Sequence, residues 1–231
     1  MTIRDLRGVV EDLIPVNNVL VSVFDKSGLE EFIPNLVEIN PNVRFLSTGG
    51  TYDTIRGILD NPEEERLLSI EKYTGSPEME GGLVKTLHPK IYAGILGERN
   101  NPEHQEFLRE TGGVYIDIVV VNLYPFEKVI SSPETTFEHA RGNIDIGGPA
   151  MLRAAAKNFP GCAAVCDPAD YKAILQEIRH NNGSTSFNQR LALAKKVFEQ
   201  TWKYDNNIAN YFSVEGNPEK VRSRYNFNKS D

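Results

Sequence analysis

The sequence predicts an α/β protein with a doubly wound, mainly parallel sheet, flanking helices and a C-terminal helical segment. Three observations lead to this class. Short β-branched runs alternate with segments whose apolar residues recur at helical spacing. The run "IDIVVVNLYPF" (116–126) is apolar on both faces, as expected of a strand at the centre of a parallel sheet. Residues 187–212 keep a helical period throughout.

The first elements form two strand–helix pairs. "VLVSVF" (19–24) predicts a strand, and "KSGLEEFIPNLVEI" after it has the apolar spacing of an amphipathic helix. "VRFLSTGG" predicts a second strand that ends at Gly49 and Gly50. The following segment "TYDTIRGILD" predicts a helix for which Thr51 is the expected N-cap.

The second half of the chain continues the alternation. A later strand is predicted at "AAVC" (163–166), and "IDIGGPAMLRAAAKN" before it predicts a Gly-Gly break and a helix with Pro149 at its first position. The C-terminal helix has two apolar stripes, a width typical of a helix packed on a core or on a partner subunit. The stripes are Leu193, Val197, Thr201 and Tyr204, and beside them Leu191, Ala194, Phe198 and Trp202.

Residues 1–231 are expected to form one domain, with a polar tail (213–231) that is frayed or docked irregularly. The formal net charge of −7 excludes a global positive field for binding nucleic acid. No run reaches the ~20 apolar residues of a membrane helix, and the N-terminus does not resemble a signal peptide. We therefore expect a cytoplasmic enzyme or binding domain without nucleic-acid or membrane partners.

Disulfide and metal chemistry are not expected. Cys162 and Cys166 fall on one predicted strand, about 13 Å apart, which is too far for a disulfide. The four histidines are scattered, without cysteine support or the spacing of a metal-binding motif.

Candidate site residues follow the strands, because ligands of open parallel sheets bind outside the carboxyl ends of the strands. The turn "STGGT" offers hydroxyl groups and flexible backbone at a helix N-terminus, which suits a phosphate group. A Gly-Gly turn between strand and helix is also common without any ligand. Lys26, in the turn after the first strand, supplies a cation, although a lysine there is more often solvated.

The end of the most apolar strand adds a tyrosine, and the start of a later helix adds a carboxylate. Tyr124 in "NLYPF" fits a core residue with its hydroxyl at the surface as well as a site residue. Asp145 in "IDIGG" fits a helix cap or an Asx-turn as well as a site residue. Lys157 lies twelve residues further on, about 18 Å away if the segment is all helix. These two groups can share a site only if the glycines fold the chain back or if another subunit contributes one of them.

The stretch "LVKTLHPK" (83–90) brings a cation, a hydroxyl and an imidazole together at Lys85, Thr86 and His88. Pro89 prevents a helix from running through them. A solvated surface loop is the alternative to a ligand site.

Six blocks together resemble the IMP cyclohydrolase part of the bifunctional purine-biosynthesis protein. They are "VSVFDKSGLEEF", "LSTGGT", "YTGSPEMEGGLVKTLHPKIYAGIL", "VVVNLYPF", "NIDIGGPAMLRAAAKN" and "KVFEQTWKYDNNIANYF", and they cover about residues 17–212. The resemblance implies a fold similar to methylglyoxal synthase. It implies closure of formyl-AICAR to IMP with loss of water, the final step of purine biosynthesis, without a cofactor.

The resemblance also implies site residues and partners. Lys85, Tyr124, Asp145 and Lys157 match the catalytic positions, with Asp145 receiving the amide proton and Lys157 keeping it ionised. Lys85 and Tyr124 would orient the substrate and stabilise the oxyanion, while His88 and Pro89 fix the turn. A homodimer is implied. The substrate-binding residues would be Lys26, Ser47, Thr48, Gly49, Gly50, Thr51, Thr86, Asn122, Ile146 and Gly147.

Two departures and one missing region accompany the resemblance. Leu83 stands where the family usually has arginine, and Phe24 stands where it usually has serine. Since the formyl-transfer half is absent from this sequence, we expect it to convert formyl-AICAR but not AICAR with 10-formyltetrahydrofolate. Either a separate formylating enzyme would then act before it, or the sequence is a piece of a longer protein. A non-catalytic phosphate-binding module is the main alternative, and methylglyoxal synthase itself is a third, against which "VKTLHP" and "AAAKN" argue.

Overall fold

The computed structural model describes residues 10–227 except 64 and 78. A five-stranded sheet forms the centre, with strand order β4-β3-β2-β5-β6 and every neighbouring pair parallel. Its strands are β2 Asn18–Val23, β3 Arg44–Ser47, β4 Leu67–Ser69, β5 Ile118–Asn122 and β6 Ala163–Val165. The fold class predicted from the sequence is confirmed.

Helices cover both faces of this sheet. They are α1 Leu29–Ile39, α2 Gly49–Ile58, α3 Ile70–Thr74, α4 Pro89–Leu96, α5 Pro102–Glu110, α6 Phe126–Ile130, α7 Phe137–Gly142, α8 Gly147–Lys157, α9 Tyr171–His180, α10 Phe187–Glu215 and α11 Pro218–Arg222. Single 3₁₀ turns lie at Glu80–Gly82 and Pro168–Asp170. No helix within the described residues combines the length and the apolar character needed to span a membrane.

The sheet separates two apolar cores, because successive side chains of a strand point to opposite faces. Val19 and Val21 pack with α1 and α9, whereas Leu20 packs with α4 and α8. β5 is buried on both faces, as its composition predicted, and pairs with β2 on one side and β6 on the other. It is an interior strand, but the middle position belongs to β2, so the prediction of a central β5 was off by one strand.

A second, two-stranded antiparallel sheet joins β1 (Leu13–Pro15) to β7 (Ser184–Ser186). Its anchor is Arg190 of α10, which is fully buried. The guanidinium group donates to backbone carbonyl groups of Glu11, Asp12, Phe159, Pro160 and Thr185. One side chain thereby ties the start of the described chain to β7 and to the segment before β6.

Three local predictions need correction. The N-cap of α2 is Thr48, not Thr51, because the helix already begins at Gly49. α8 begins at Gly147, so Pro149 occupies its third position. The tail is not irregular throughout: α10 extends to Glu215 and α11 follows, with the Asn217 side chain accepting from the first amide groups of α11.

The inner stripe of α10 is confirmed as core. Leu193, Val197, Thr201 and Tyr204 are all buried. The outer stripe is covered only in part by the described residues, since Ala194 is buried but Phe198 and Trp202 are 42% and 64% exposed. Arg153 of α8 lies over the Phe198 ring, with its guanidinium carbon 5.6 Å from the ring centroid.

Candidate functional site

A cavity of about 440 Å³ opens at the carboxyl ends of β2, β3 and β5. This is where the chain order reverses across the sheet, since β3 lies on one side of β2 and β5 on the other. All the site residues predicted from the sequence line this cavity, except Ser47 and Lys157. Those that do are Lys26, Thr48, Gly49, Gly50, Thr51, Lys85, Thr86, Asn122, Tyr124, Asp145, Ile146 and Gly147.

The turn between β3 and α2 forms one wall of the cavity. Gly49 has φ +41°, a conformation that favours glycine. The Thr48 hydroxyl lies 2.8 Å from the Ser22 hydroxyl of β2. Thr51 Oγ1 accepts from the amide of Val23 and donates to its carbonyl, so this side chain fixes the turn against β2. The first helical bonds run from the Thr51 and Tyr52 amides to the Thr48 carbonyl. The Gly49 and Gly50 amide groups precede them, at the helix end that favours an anion.

Lys85 and Thr86 form the opposite wall from an irregular turn. The Lys85 ammonium lies 3.0 Å from Glu71 Oε1, and its side chain is only 16% exposed. Its nitrogen also lies 3.3 Å from the point where a Cβ atom of Gly49 would stand, so the cation faces the α2 turn. His88 Nδ1 accepts from the Lys90 amide and caps α4, which begins at Pro89. The interpretation of His88 and Pro89 as residues that fix the turn agrees with these contacts.

Glu71 is a partner of Lys85 that the sequence did not reveal. It lies in the first turn of α3, directly after β4. Burial alone would raise the pKa of Glu71, but hydrogen bonds from its own amide, Lys85 and Ser69 bring that pKa below its usual value. The carboxyl group is therefore an anion at neutral pH.

Asp145 lies directly before α8 in a set of short hydrogen bonds. Its Oδ1 accepts from the Gly148 amide at 2.8 Å, and its own amide donates to the Tyr204 hydroxyl of α10 at 2.7 Å. Burial raises the pKa of Asp145, and the amide groups of Gly148 and Tyr124 oppose the shift without cancelling it. The helix-cap alternative and the acid–base role are thus compatible, because one carboxylate oxygen binds the amide while the group still lines the cavity.

Two aromatic residues lie beside this carboxylate. The rings of Phe24 and Tyr124 meet edge to face at 4.4 Å between centroids, and Phe24 is 49% exposed. Asn122, predicted to bind substrate, directs its amide group to the backbone instead. Its oxygen accepts from the amides of Phe24 and Asp25, and its nitrogen donates to the Asp25 carbonyl. The Asn122 side chain therefore shapes the turn after β2.

Ser47 and Lys157 are not brought to the cavity. Ser47 is fully buried and donates to the Val21 carbonyl, so it belongs to the sheet. Lys157 is the last residue of α8, an uninterrupted helix that starts at Gly147, and is exposed. The glycines do not fold the chain back, and the helix rise places Lys157 about 15 Å from the start of α8. Within one chain, Asp145 and Lys157 do not share a site.

The rim of the cavity is apolar where the floor is polar. Leu83 and Ile146 line it and are 69% and 61% exposed. The cavity thus presents hydroxyl groups, two lysines and one carboxylate beneath exposed apolar side chains, an arrangement suited to a flat anionic molecule. Among the residues described, no group of three His, Cys, Asp or Glu could hold a metal ion.

Comparison with known proteins gives two family matches, which together cover most of the chain from residue 28 onward. The model of the MGS-like domain matches residues 28–150, more than half of the chain. The model described as "AICARFT/IMPCHase bienzyme" matches residues 155–230.

Curated relatives carry the name "Bifunctional purine biosynthesis protein PurH". The protein from Chlorobium phaeobacteroides (strain DSM 266) is 50% identical over 200 residues, which are 86% of this chain and 37% of that protein. The protein from Leptospira biflexa is 43% identical over 203 residues, 87% of this chain and 38% of that protein. The chain therefore spans little more than a third of the length of these relatives.

A solved structure, "Crystal structure of ForH", superposes with a TM-score of 0.70 at 32% identity, covering 85% of this chain and 98% of that one. The family resemblance found in the sequence is thereby confirmed. The chain belongs to the family of MGS-like domains, and the bifunctional purine biosynthesis proteins are among its relatives.

Proposed function

We propose that this chain is an IMP cyclohydrolase that closes formyl-AICAR to IMP with release of water. The observation that carries the proposal is the single cavity in which Lys85, Thr86, Tyr124 and Asp145 face the α2 turn. The purine biosynthesis proteins that match most of the chain support the same reaction class.

The reaction joins the carboxamide nitrogen of the substrate to its formyl carbon. That nitrogen must lose one proton and the formamide nitrogen a second, and the formyl oxygen takes up both and leaves as water while the ring C=N bond forms. Asp145 takes the nitrogen proton, because burial makes its carboxylate a stronger base than an exposed aspartate. Lys85 stabilises the negative charge that develops on the formyl oxygen. The substrate phosphate binds at Thr48, Gly49 and Gly50, where the α2 N-terminus favours an anion.

We assign Lys157 to the site of a second copy of the chain, forming a homodimer. The support is geometric: Lys157 lies at the far end of α8 from Asp145, and the α10 surface near α8 exposes Phe198 and Trp202. In a symmetric dimer each copy would supply Lys157 to the other copy's Asp145.

The first test supplies purified chain with formyl-AICAR and follows IMP. AICAR with 10-formyltetrahydrofolate is the control, because it requires a formyl transfer that we do not assign to this cavity. Replacement of Asp145 by Asn, or of Lys85 or Lys157 by Ala, should lower turnover at least about 100-fold in folded protein. IMP binding without any turnover of formyl-AICAR would favour the phosphate-binding module, and methylglyoxal from dihydroxyacetone phosphate would favour the third alternative.

The second test mixes the Asp145→Asn and Lys157→Ala chains after reversible dissociation. If Lys157 acts across a dimer, half of the random dimers contain one intact site, and about a quarter of wild-type activity returns. No recovery in mixed dimers of demonstrated composition would refute the assignment of Lys157 to the neighbouring site.

A further inference from the structure

The contact between Lys85 and Glu71 joins two segments that are separate in the chain. Glu71 comes from the first turn of α3, and Lys85 lies in the irregular turn before α4. The ammonium and the carboxylate are 3.0 Å apart, with 16% and 30% of the respective side chains exposed. A partly buried pair of this kind is screened less by solvent than a surface pair.

Glu71 does not line the cavity, whereas Lys85 does. The carboxylate therefore lies outside the ligand space and contacts the lysine from α3. The Lys85 nitrogen also faces the α2 turn, where it lies 3.3 Å from the Cβ position of Gly49. The Lys85 ammonium is thus held between a fixed anion and the turn at which an anionic ligand would bind.

A lysine in an irregular turn needs such a contact to keep one direction. Its four-carbon side chain is flexible and its ammonium is strongly hydrated, so an unpaired lysine would sample many rotamers. Glu71 has a defined place, because Ser69 caps α3 and contributes a hydrogen bond to the Glu71 carboxylate. The direction of Lys85 is therefore set in part from α3.

We propose that Glu71 is a positioning residue of the site: it keeps the Lys85 ammonium charged and directed across Gly49 into the cavity. Glu71 touches no ligand and acts only through Lys85. The consequence for turnover rests on the proposed function, but the ion pair and its effect on Lys85 do not. The Glu71 carboxylate is distinct from that of Asp145, which lies on the α8 side of the cavity.

The first experiment measures Lys85 without any substrate. An N-hydroxysuccinimide acetyl ester reacts only with a neutral amine, and an opposite charge at this distance favours the charged form. Glu71→Gln should raise the rate of Lys85 acetylation several-fold relative to other lysines, as read by peptide mass spectrometry at one pH. Glu103→Gln is the matched control, because Glu103 is also a first-turn acid of a short helix but lies on α5. Equal Lys85 labelling in wild type and Glu71→Gln would overturn the proposal.

The second experiment is a double-mutant cycle on formyl-AICAR turnover. Glu71→Gln should lower kcat more than it changes KM, with partial recovery in Glu71→Asp, and should have no further effect in a Lys85→Met background. An equal loss in that background would show that Glu71 acts elsewhere and would overturn the positioning role. If labelling responds as expected while even wild type forms no IMP, the positioning role stands and the proposed reaction fails.

Discussion

Gly148→Ala is the substitution that tests the Asp145 site most directly. A Cβ atom at Gly148 would stand 2.4 Å from Asp145 Oδ2 and 2.9 Å from Leu123 Cδ2. Ordinary contact for a Cβ atom begins at 3.4 Å, so the carboxylate oxygen must move by about 1 Å. A displacement of that size at a reacting group costs about 100-fold in rate, or about 2.7 kcal/mol in the activation barrier. We expect this loss mainly in kcat, because the phosphate-binding turn on α2 is untouched.

The assay follows IMP formation from formyl-AICAR, with circular dichroism and thermal unfolding as measures of the fold. Gly57→Ala is the matched control, since a Cβ atom there meets nothing within 4 Å on the exposed side of α2. Alanine in place of a helical glycine should stabilise this control by about 1 kcal/mol, or roughly 2–4 °C in Tm, with unchanged turnover. Wild-type turnover in a folded Gly148→Ala protein would refute the role of the Asp145 carboxylate.

Three further predictions concern other parts of the molecule. Arg190→Met leaves several buried carbonyl groups without a donor, so urea unfolding should show a loss of at least about 3 kcal/mol; a loss below 1 kcal/mol would contradict the anchoring role. Leu83→Arg should lower KM for formyl-AICAR, because a charge-assisted bond to phosphate is about twice as strong as a neutral one; an unchanged KM would assign that contact to another group such as Lys26. Asp145 must be ionised to accept a proton, burial raises its pKa and the partner subunit's Lys157 would lower it, so the low-pH midpoint of kcat/KM should move up in Lys157→Ala; an unmoved midpoint would contradict the pairing of these two groups.

Regular elements with a strong local period could be read from the sequence. β2, β5 and α10 each carry enough apolar residues at one spacing to identify both type and place. The pairing of β1 with β7 could not be read from the sequence. Each of these strands has only three residues, and most of the chain lies between them. The N-cap of α2 was misplaced by three residues, since Gly49 has a positive φ and is typical of a turn although it opens the helix.

Site residues that directly follow strands could be predicted from the sequence. The contacts that such residues make with distant parts of the chain could not. Glu71 meets Lys85 from another element, and Tyr204 bonds the Asp145 amide from 59 residues away. No local pattern indicates either contact. Lys157 could not be placed for a different reason. Its position in a recognised motif does not tell whether it contributes to the site of its own chain or to that of a second copy.

Not every residue that follows a strand directs its side chain towards a ligand. Asn122 and Thr51 both line the cavity, yet their hydrogen bonds go to the backbone of the turn after β2, and Ser47 bonds within the sheet. These residues set the shape of the cavity, while its charge comes from Lys26, Lys85 and Asp145. Because Lys85 is held by Glu71 and Asp145 by α8 and Tyr204, the cation and the base are oriented by separate parts of the fold. Loss of the Glu71 contact therefore removes no hydrogen bond of Asp145, and the two sides of the cavity meet where Thr86 Oγ1 lies 2.6 Å from the Cβ position of Gly147.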